Sequence, residues 1–208
     1  MLMDANLGGH WSEAYEDGDL ARSWYQQHAN VSAQLIQTHC PTLDAPVVDV
    51  GGGASTLVDD LLAAGYLDIT VLDIAATGVD IAKKRLGKHH VEVKWIVEDL
   101  LDWQPDRRYA LWHDRAVLHF LTERGDQEQY RAKLLAATDP GSVAVIGVFG
   151  PDGPTSCSGL PTTRYDSQRL RDFLGEDFVV AESQLRDHVT PAQATQQFLW
   201  LVATRVTQ

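Results

Sequence analysis

Pro46-Val47-Val48-Asp49-Val50-Gly51-Gly52-Gly53-Ala54-Ser55 runs a short apolar strand directly into a glycine turn, and the residues that follow read as the start of a helix. A side chain at such a turn would block close approach of a ligand to the backbone, and glycine also tolerates positive φ. The stretch therefore predicts a strand-turn-helix unit of an α/β protein with a small-molecule cofactor at the turn. A valine at Gly51 is expected to fill ligand space while leaving the fold intact.

The flanking strands sharpen this reading. Ile69-Thr70-Val71-Leu72-Asp73-Ile74 ends in an acid about twenty positions after the glycines, the spacing at which a carboxylate reaches a ribose hydroxyl pair. Val91 to Val97 reads as a third strand ending at Glu98-Asp99-Leu100, where Asp99 is placed to accept a hydrogen bond from an adenine amino group. A dinucleotide fingerprint requires a third glycine where this chain has Thr56, which weakens a nicotinamide cofactor. A P-loop is excluded, since no Lys-Ser or Lys-Thr follows the glycines and no lysine precedes Lys83. S-adenosylmethionine carries ribose and adenine without phosphate, and it fits this set better.

Towards the end of the chain, residues 177–185 and 197–206 read as strands with only a broken Thr190-Pro191 segment between them, which predicts an antiparallel hairpin on an otherwise parallel sheet. With these motifs in order, the chain resembles the class I, seven-stranded, S-adenosylmethionine-dependent methyltransferases. Val48 to Gly53 corresponds to the first motif, Leu72-Asp73-Ile74 to the second and Glu98-Asp99-Leu100 to the third. The segments around Trp11, Tyr15 and Ser23 to Gln26, Leu111 to Leu121, Gly153-Pro154 and Cys157 to Pro161 resemble one bacterial subgroup, similar to the citrate synthase lysine methyltransferases.

The resemblance implies a Rossmann-like α/β fold: a seven-stranded, mostly parallel sheet with helices on both faces, a C-terminal antiparallel β-hairpin and an N-terminal helical lid. It implies S-adenosyl-L-methionine as cofactor and S-adenosyl-L-homocysteine as product. The cofactor contacts it points to are Trp24, Asp49, Gly51, Gly53, Ser55, Asp73, Ile74, Asp99, Leu100 and His113.

Composition narrows the class further. A formal charge of −12, with 17 basic against 29 acidic residues, opposes nucleic-acid binding through phosphate contacts. Lys83-Lys84-Arg85 reads as the solvated face of a helix. No apolar run approaches a membrane span, and the first residues lack the pattern of a signal peptide, so a cytoplasmic protein is expected. Two cysteines support neither a disulfide framework nor a zinc site. At 208 residues one domain is expected, with residues 1–40 as a helical lid, helical across residues 10–40, and 46–208 as the core. Helices are expected near 55–64, 77–86, 122–138 and 166–174, a fifth strand at 143–149, and a long loop from 150 to 163.

The end of the fourth strand, Trp112-His113-Asp114-Arg115, and the nearby His119 are the catalytic candidates. An ordinary histidine titrates near pH 6.5 and suits proton removal from an amine, thiol or acid. His113 or His119 is thus either a general base or an orienting residue, and Asp114 is either a third catalytic group or part of a structural ion pair with Arg115 or a neighbouring arginine. Tyr25, Arg115 and Cys157 are expected to face the acceptor, while Trp24 and Tyr25 form either a lid or ordinary core. His188 is expected in a turn. The leading expectation is methyl transfer to a small molecule; the alternatives are a protein lysine N-methyltransferase and a non-catalytic module that binds S-adenosylmethionine.

Overall fold

The computed structural model describes residues 7–15 and 20–207. After helices α1 (Leu7–Ala14) and α2 (Asn30–His39) come β1 (Val47–Val50), α3 (Leu57–Ala63), β2 (Ile69–Asp73), α4 (Ala76–Leu86), β3 (Val93–Val97), β4 (Tyr109–Arg115), α5 (Arg124–Ala137) and β5 (Thr138–Phe149), with no helix between β3 and β4. A two-stranded ribbon follows, β6 (Ser156–Cys157) with β7 (Leu160–Pro161), then α6 (Ser167–Leu174), β8 (Phe178–Val189) and β9 (Thr195–Arg205). The main sheet has the order β3-β2-β1-β4-β5-β9-β8. Neighbours from β3 through β5 are parallel, and β9 runs antiparallel to both β5 and β8. The seven-stranded sheet and its terminal hairpin agree with the expectation.

Side-chain alternation along the strands separates two cores. On one face Val47, Ile69, Leu111, Val143 and Val145 pack with Leu35 and Ile36 of α2 and Leu57 and Leu61 of α3. On the other, Val48, Val50, Trp112, Ile146 and Leu199 pack with Tyr130 and Leu134 of α5 and Leu170 and Leu174 of α6. The same parity decides the polar residues at the strand ends. Asp49 and His113 are register partners on the α2 face, whereas Asp114 turns toward α5.

Three local expectations change. Residues 20–29 are not helical, because the carbonyls of Ser23, Trp24 and Gln26 accept hydrogen bonds from His188, Arg115 and Thr56 rather than from a following helical turn. Strand β3 starts at Val93, after a 3₁₀ turn over Gly87–Glu92 in which the His90 ring donates to the Gly87 carbonyl. The 150–163 loop contains the β6-β7 ribbon, turned at Ser158 and Gly159 with φ of 51° and 77°. Positive φ at both central residues is the twist a tight hairpin needs.

Candidate active site

A cavity of about 680 Å³ opens above the carboxyl ends of β1, β2 and β4. Its position is where ligands bind in sheets of this topology, because the chain leaves β1 and β4 in opposite directions across the sheet and a crevice forms between them. Asp49, Gly51, Ser55, Asp73, Ile74, Asp99 and Leu100 line one half, while Arg115, His119, Phe149, Cys157 and Phe198 line the other. Trp24 and Tyr25 border it from the N-terminal segment. Gly53 and Asp114 are not among its lining residues.

The glycine turn is shaped by the protein as well as by any ligand. Gly51 has φ of +67°, and a Cβ built there meets Val117 Cγ2 at 2.1 Å. A side chain would thus strain the backbone and press on Val117 of the β4 loop, so a valine at Gly51 is expected to lower stability as well as to fill ligand space. A Cβ at Gly53 meets Tyr15 and Asp73 instead of open cavity, which makes Gly53 a close-packed position beneath Tyr15. Arg85, expected as a solvated charge, donates to the carbonyls of Ala54 and Ser55 and pairs with Asp59, bracing the turn from α4. A lysine-arginine run on a helix carries no signal for that role, since its partners come from a preceding loop.

Asp73 is 8% exposed. One oxygen accepts from the Ala75 amide at 2.7 Å, yet burial, reinforced by Asp49, pushes the carboxyl up to about 7. A desolvated carboxylate beside a cavity is stabilised by new hydroxyl donors, as a ribose diol would supply. Asp99 accepts from the Leu101 amide at the tip of β3. These two acids, the close-packed glycine turn and the absence of a cationic phosphate cradle among the described lining residues of this half fit an adenosine with no phosphate.

The histidines and Asp114 are each held by partners from other elements of the fold. The His113 ring Nδ1 lies 2.7 Å from Asp49 and its Nε2 lies 3.0 Å from Ser32 of α2. A carboxylate only accepts, so Nδ1 carries a proton, and the Ser32 hydroxyl occupies Nε2. His113 therefore has no free lone pair and serves to position Asp49. His119 is fully buried, stacked on Phe149 with ring centroids 4.1 Å apart. Its Nδ1 accepts from the Phe149 amide, leaving the proton on Nε2. Burial and the nearby Arg115 push its pKa down to about 3, which keeps the ring neutral at physiological pH.

Asp114 accepts from the Val117 and Leu118 amides and from the Tyr130 hydroxyl, which itself accepts from the Trp112 indole. Four groups on β4, its loop and α5 are thus satisfied together. Strand alternation turns Asp114 away from Arg115, and no ion pair forms between them. Ser32, Tyr130 and the Phe149 amide were the partners missing from the sequence reading, because each lies on an element remote in the chain from the residue it binds.

The N-terminal segment forms the outer wall. Trp24 packs edge-to-face with Trp11 and Tyr15, and Trp11 with Phe120. Its backbone is held by Arg115 Nη1 to the Trp24 carbonyl at 3.0 Å, His188 Nε2 to Ser23 at 2.7 Å and Thr56 to Gln26 at 3.1 Å. His188, expected in a turn, sits near the end of β8 as part of this clamp. Cys157 lies 3.8 Å from the Ser23 hydroxyl.

The comparisons agree with this geometry. The solved 1,6-didemethyltoxoflavin-N1-methyltransferase of Burkholderia thailandensis, with 1,6-didemethyltoxoflavin and S-adenosylhomocysteine bound, superposes with a TM-score of 0.74 over 98% of this chain and 88% of that one, at 20% identity. The fold is that of the S-adenosylmethionine-dependent methyltransferases. The glycopeptide N-methyltransferase MtfA in complex with S-adenosylmethionine matches this methyltransferase fold with a TM-score of 0.66 at 13% identity, over 88% and 96% of the two chains. Residues 47–141, from β1 into β5, match the methyltransferase domain family. Among curated proteins, human EEF1A lysine methyltransferase 2 is 27% identical over 103 residues, 45% of this chain and 44% of that protein. The mouse protein is 27% identical over 114 residues, 50% and 46%. The chain thus spans less than half the length of the curated relatives it matches. No helix among the described residues is long and apolar enough to cross a membrane.

Proposed function

We propose that this chain is an S-adenosylmethionine-dependent methyltransferase that acts on a small molecule. The observation that carries the reading is one cavity joining an adenosine-type half, at Gly51, Asp73 and Asp99, to an apolar half walled by Phe149, Phe198 and the clamped Trp24-Tyr25 segment. S-adenosylmethionine, when bound, supplies a methyl group already activated for displacement. Asp73 binds the ribose hydroxyls, Asp99 the adenine, and Asp49, oriented by His113, offers a carboxylate to a cationic amino group. Trp24, Ser55, Ile74 and Leu100 complete the cofactor wall.

The acceptor half contributes position and exclusion of water. Tyr25, Arg115 and Cys157 border the acceptor, and His119 adds a neutral N–H donor. With both histidines occupied as described, no proton is removed by an imidazole, and the acceptor arrives in its nucleophilic form.

A protein lysine acceptor is the second reading, supported by the similarity to EEF1A lysine methyltransferase 2 and by the resemblance to the citrate synthase lysine methyltransferase subgroup. Against it stands the three-bond clamp that holds the N-terminal segment over the cavity, where a peptide would need an open groove. One continuous sheet supports a single domain over 1–208, and two free thiols suit a cytoplasmic location. Incubating the pure protein and a bacterial lysate with methyl-labelled S-adenosylmethionine tests the reading. Label is expected in a small molecule; label only in protein would favour the second reading, and cofactor binding with no label anywhere would leave a binding module.

A further inference from the structure

Two donors in the wall of the acceptor half have no partner among the described residues. Arg115 Nη1 is spent on the Trp24 carbonyl, but Nη2 is buried and has no hydrogen-bond partner among them. His119 Nε2, which carries the ring proton, is likewise buried and unpaired. Both groups lie against the same ring: the Arg115 guanidinium carbon is 5.1 Å from the centroid of Phe198, and the His119 centroid is 6.2 Å from it. A buried guanidinium edge and a buried imidazole N–H are costly to leave unsatisfied, and natural sites retain such pairs where a ligand completes them.

We propose that the acceptor is a small, largely apolar molecule carrying a carboxylate, whose two oxygens are received by Arg115 Nη2 and His119 Nε2–H while its body packs on Phe149, Phe198 and Phe120. This rests on the reading of the cavity as the acceptor site of a methyltransferase. Arginine receives a planar carboxylate along its N–H edge with a geometry that a neutral amide cannot equal in strength. Burial lowers the Arg115 pKa only to about 10, so its charge persists at neutral pH.

The surrounding charges limit the ligand class. Asp49, Cys157, Tyr15, His119 and His188 are titratable groups that interact electrostatically with Arg115, and Asp49 is already bound to His113. Glu123 and Asp126 also border the cavity, which opposes a polyanion such as nucleic acid but leaves a buried donor pair able to hold one carboxylate. An amine-bearing acceptor such as a lysine side chain meets a guanidinium and an N–H donor here, with no free acceptor from either.

The test is a ligand-observed NMR titration of the intact protein with benzoate, phenylacetate and indole-3-acetate against their primary amides and benzylamine, each with and without S-adenosylhomocysteine. The acids are expected to bind about tenfold or more tighter than the amides, and benzylamine more weakly than either. In Arg115→Gln, which loses the charge and is too short to reach the Trp24 carbonyl, the preference for acids is expected to vanish, whereas in His188→Leu, which loosens the same segment but keeps Arg115, it is expected to persist. Equal binding of acids and amides by the wild-type protein, or a preference that survives in Arg115→Gln, overturns the proposal. S-adenosylhomocysteine affinity is read in the same samples, so failure of the cofactor reading is distinguished from failure of this one.

Discussion

Replacing Asp73 by asparagine is expected to stabilise the ligand-free protein at alkaline pH while weakening its cofactor site. The carboxyl stands at about 7 in the folded chain because burial, with Asp49 nearby, disfavours its charge. In the unfolded chain it returns to an ordinary value near 3.9. The folded state therefore holds a proton that the unfolded state has lost, between about pH 4 and 7, and stability falls as pH rises through that window. Three pKa units correspond to about 4 kcal/mol, taken as an upper bound because a carboxylate in a cavity wall is partly relieved by water.

The asparagine side chain has no charge to desolvate and still presents a carbonyl oxygen to the Ala75 amide. Urea denaturation at a series of pH values should show the Asp73→Asn variant gaining on the wild type from pH 4 upward, with a plateau of about 2–4 kcal/mol above pH 7. Binding of S-adenosylhomocysteine, whose ribose hydroxyls favour the ionised carboxylate, should release a proton below pH 7 in the wild type and none in the variant. Parallel denaturation curves across this range, or a wild type that is the more stable at pH 8, would refute the reasoning.

Other outcomes follow from the packing around the site. Tyr130→Phe leaves the Trp112 indole N–H without its acceptor and Asp114 with one donor fewer, and should cost about 1–3 kcal/mol in chemical denaturation without altering the pH profile of turnover. Gly51→Ala forces a Cβ against Val117 at positive φ, so the loss should be read first as a lower melting temperature, equivalent to about 1–3 kcal/mol, rather than as weaker binding to an intact fold. His188→Leu removes the donor to the Ser23 carbonyl, and loosening of the clamp should raise the KM for the acceptor more than that for the cofactor.

The sheet and the cofactor half were legible because their signals are local. Buried apolar strands, the glycine turn and the acids at strand tips each lie within a few residues, and their order along the chain imposes the crevice. The N-terminal segment reads as continuous helix because its aromatic spacing suits one, whereas its carbonyls are claimed by Thr56, Arg115 and His188 from distant elements. The partners of His113, Asp114 and His119 were hidden for the same reason. Their residue types suit acid-base chemistry, but strand parity sends Asp114 to Tyr130 and His113 to Ser32, and the Phe149 amide occupies the one lone pair of His119. What distinguishes a base from a brace is the partner across the fold.

The most direct test of the central claim is a calorimetric titration of the purified protein with S-adenosylhomocysteine and, separately, with NAD. One saturable site per chain is expected for S-adenosylhomocysteine, weakened about tenfold or more in Asp73→Asn at pH 8, with no binding of NAD. A preference for NAD, or unchanged S-adenosylhomocysteine affinity in a folded Asp73→Asn variant, would contradict the account.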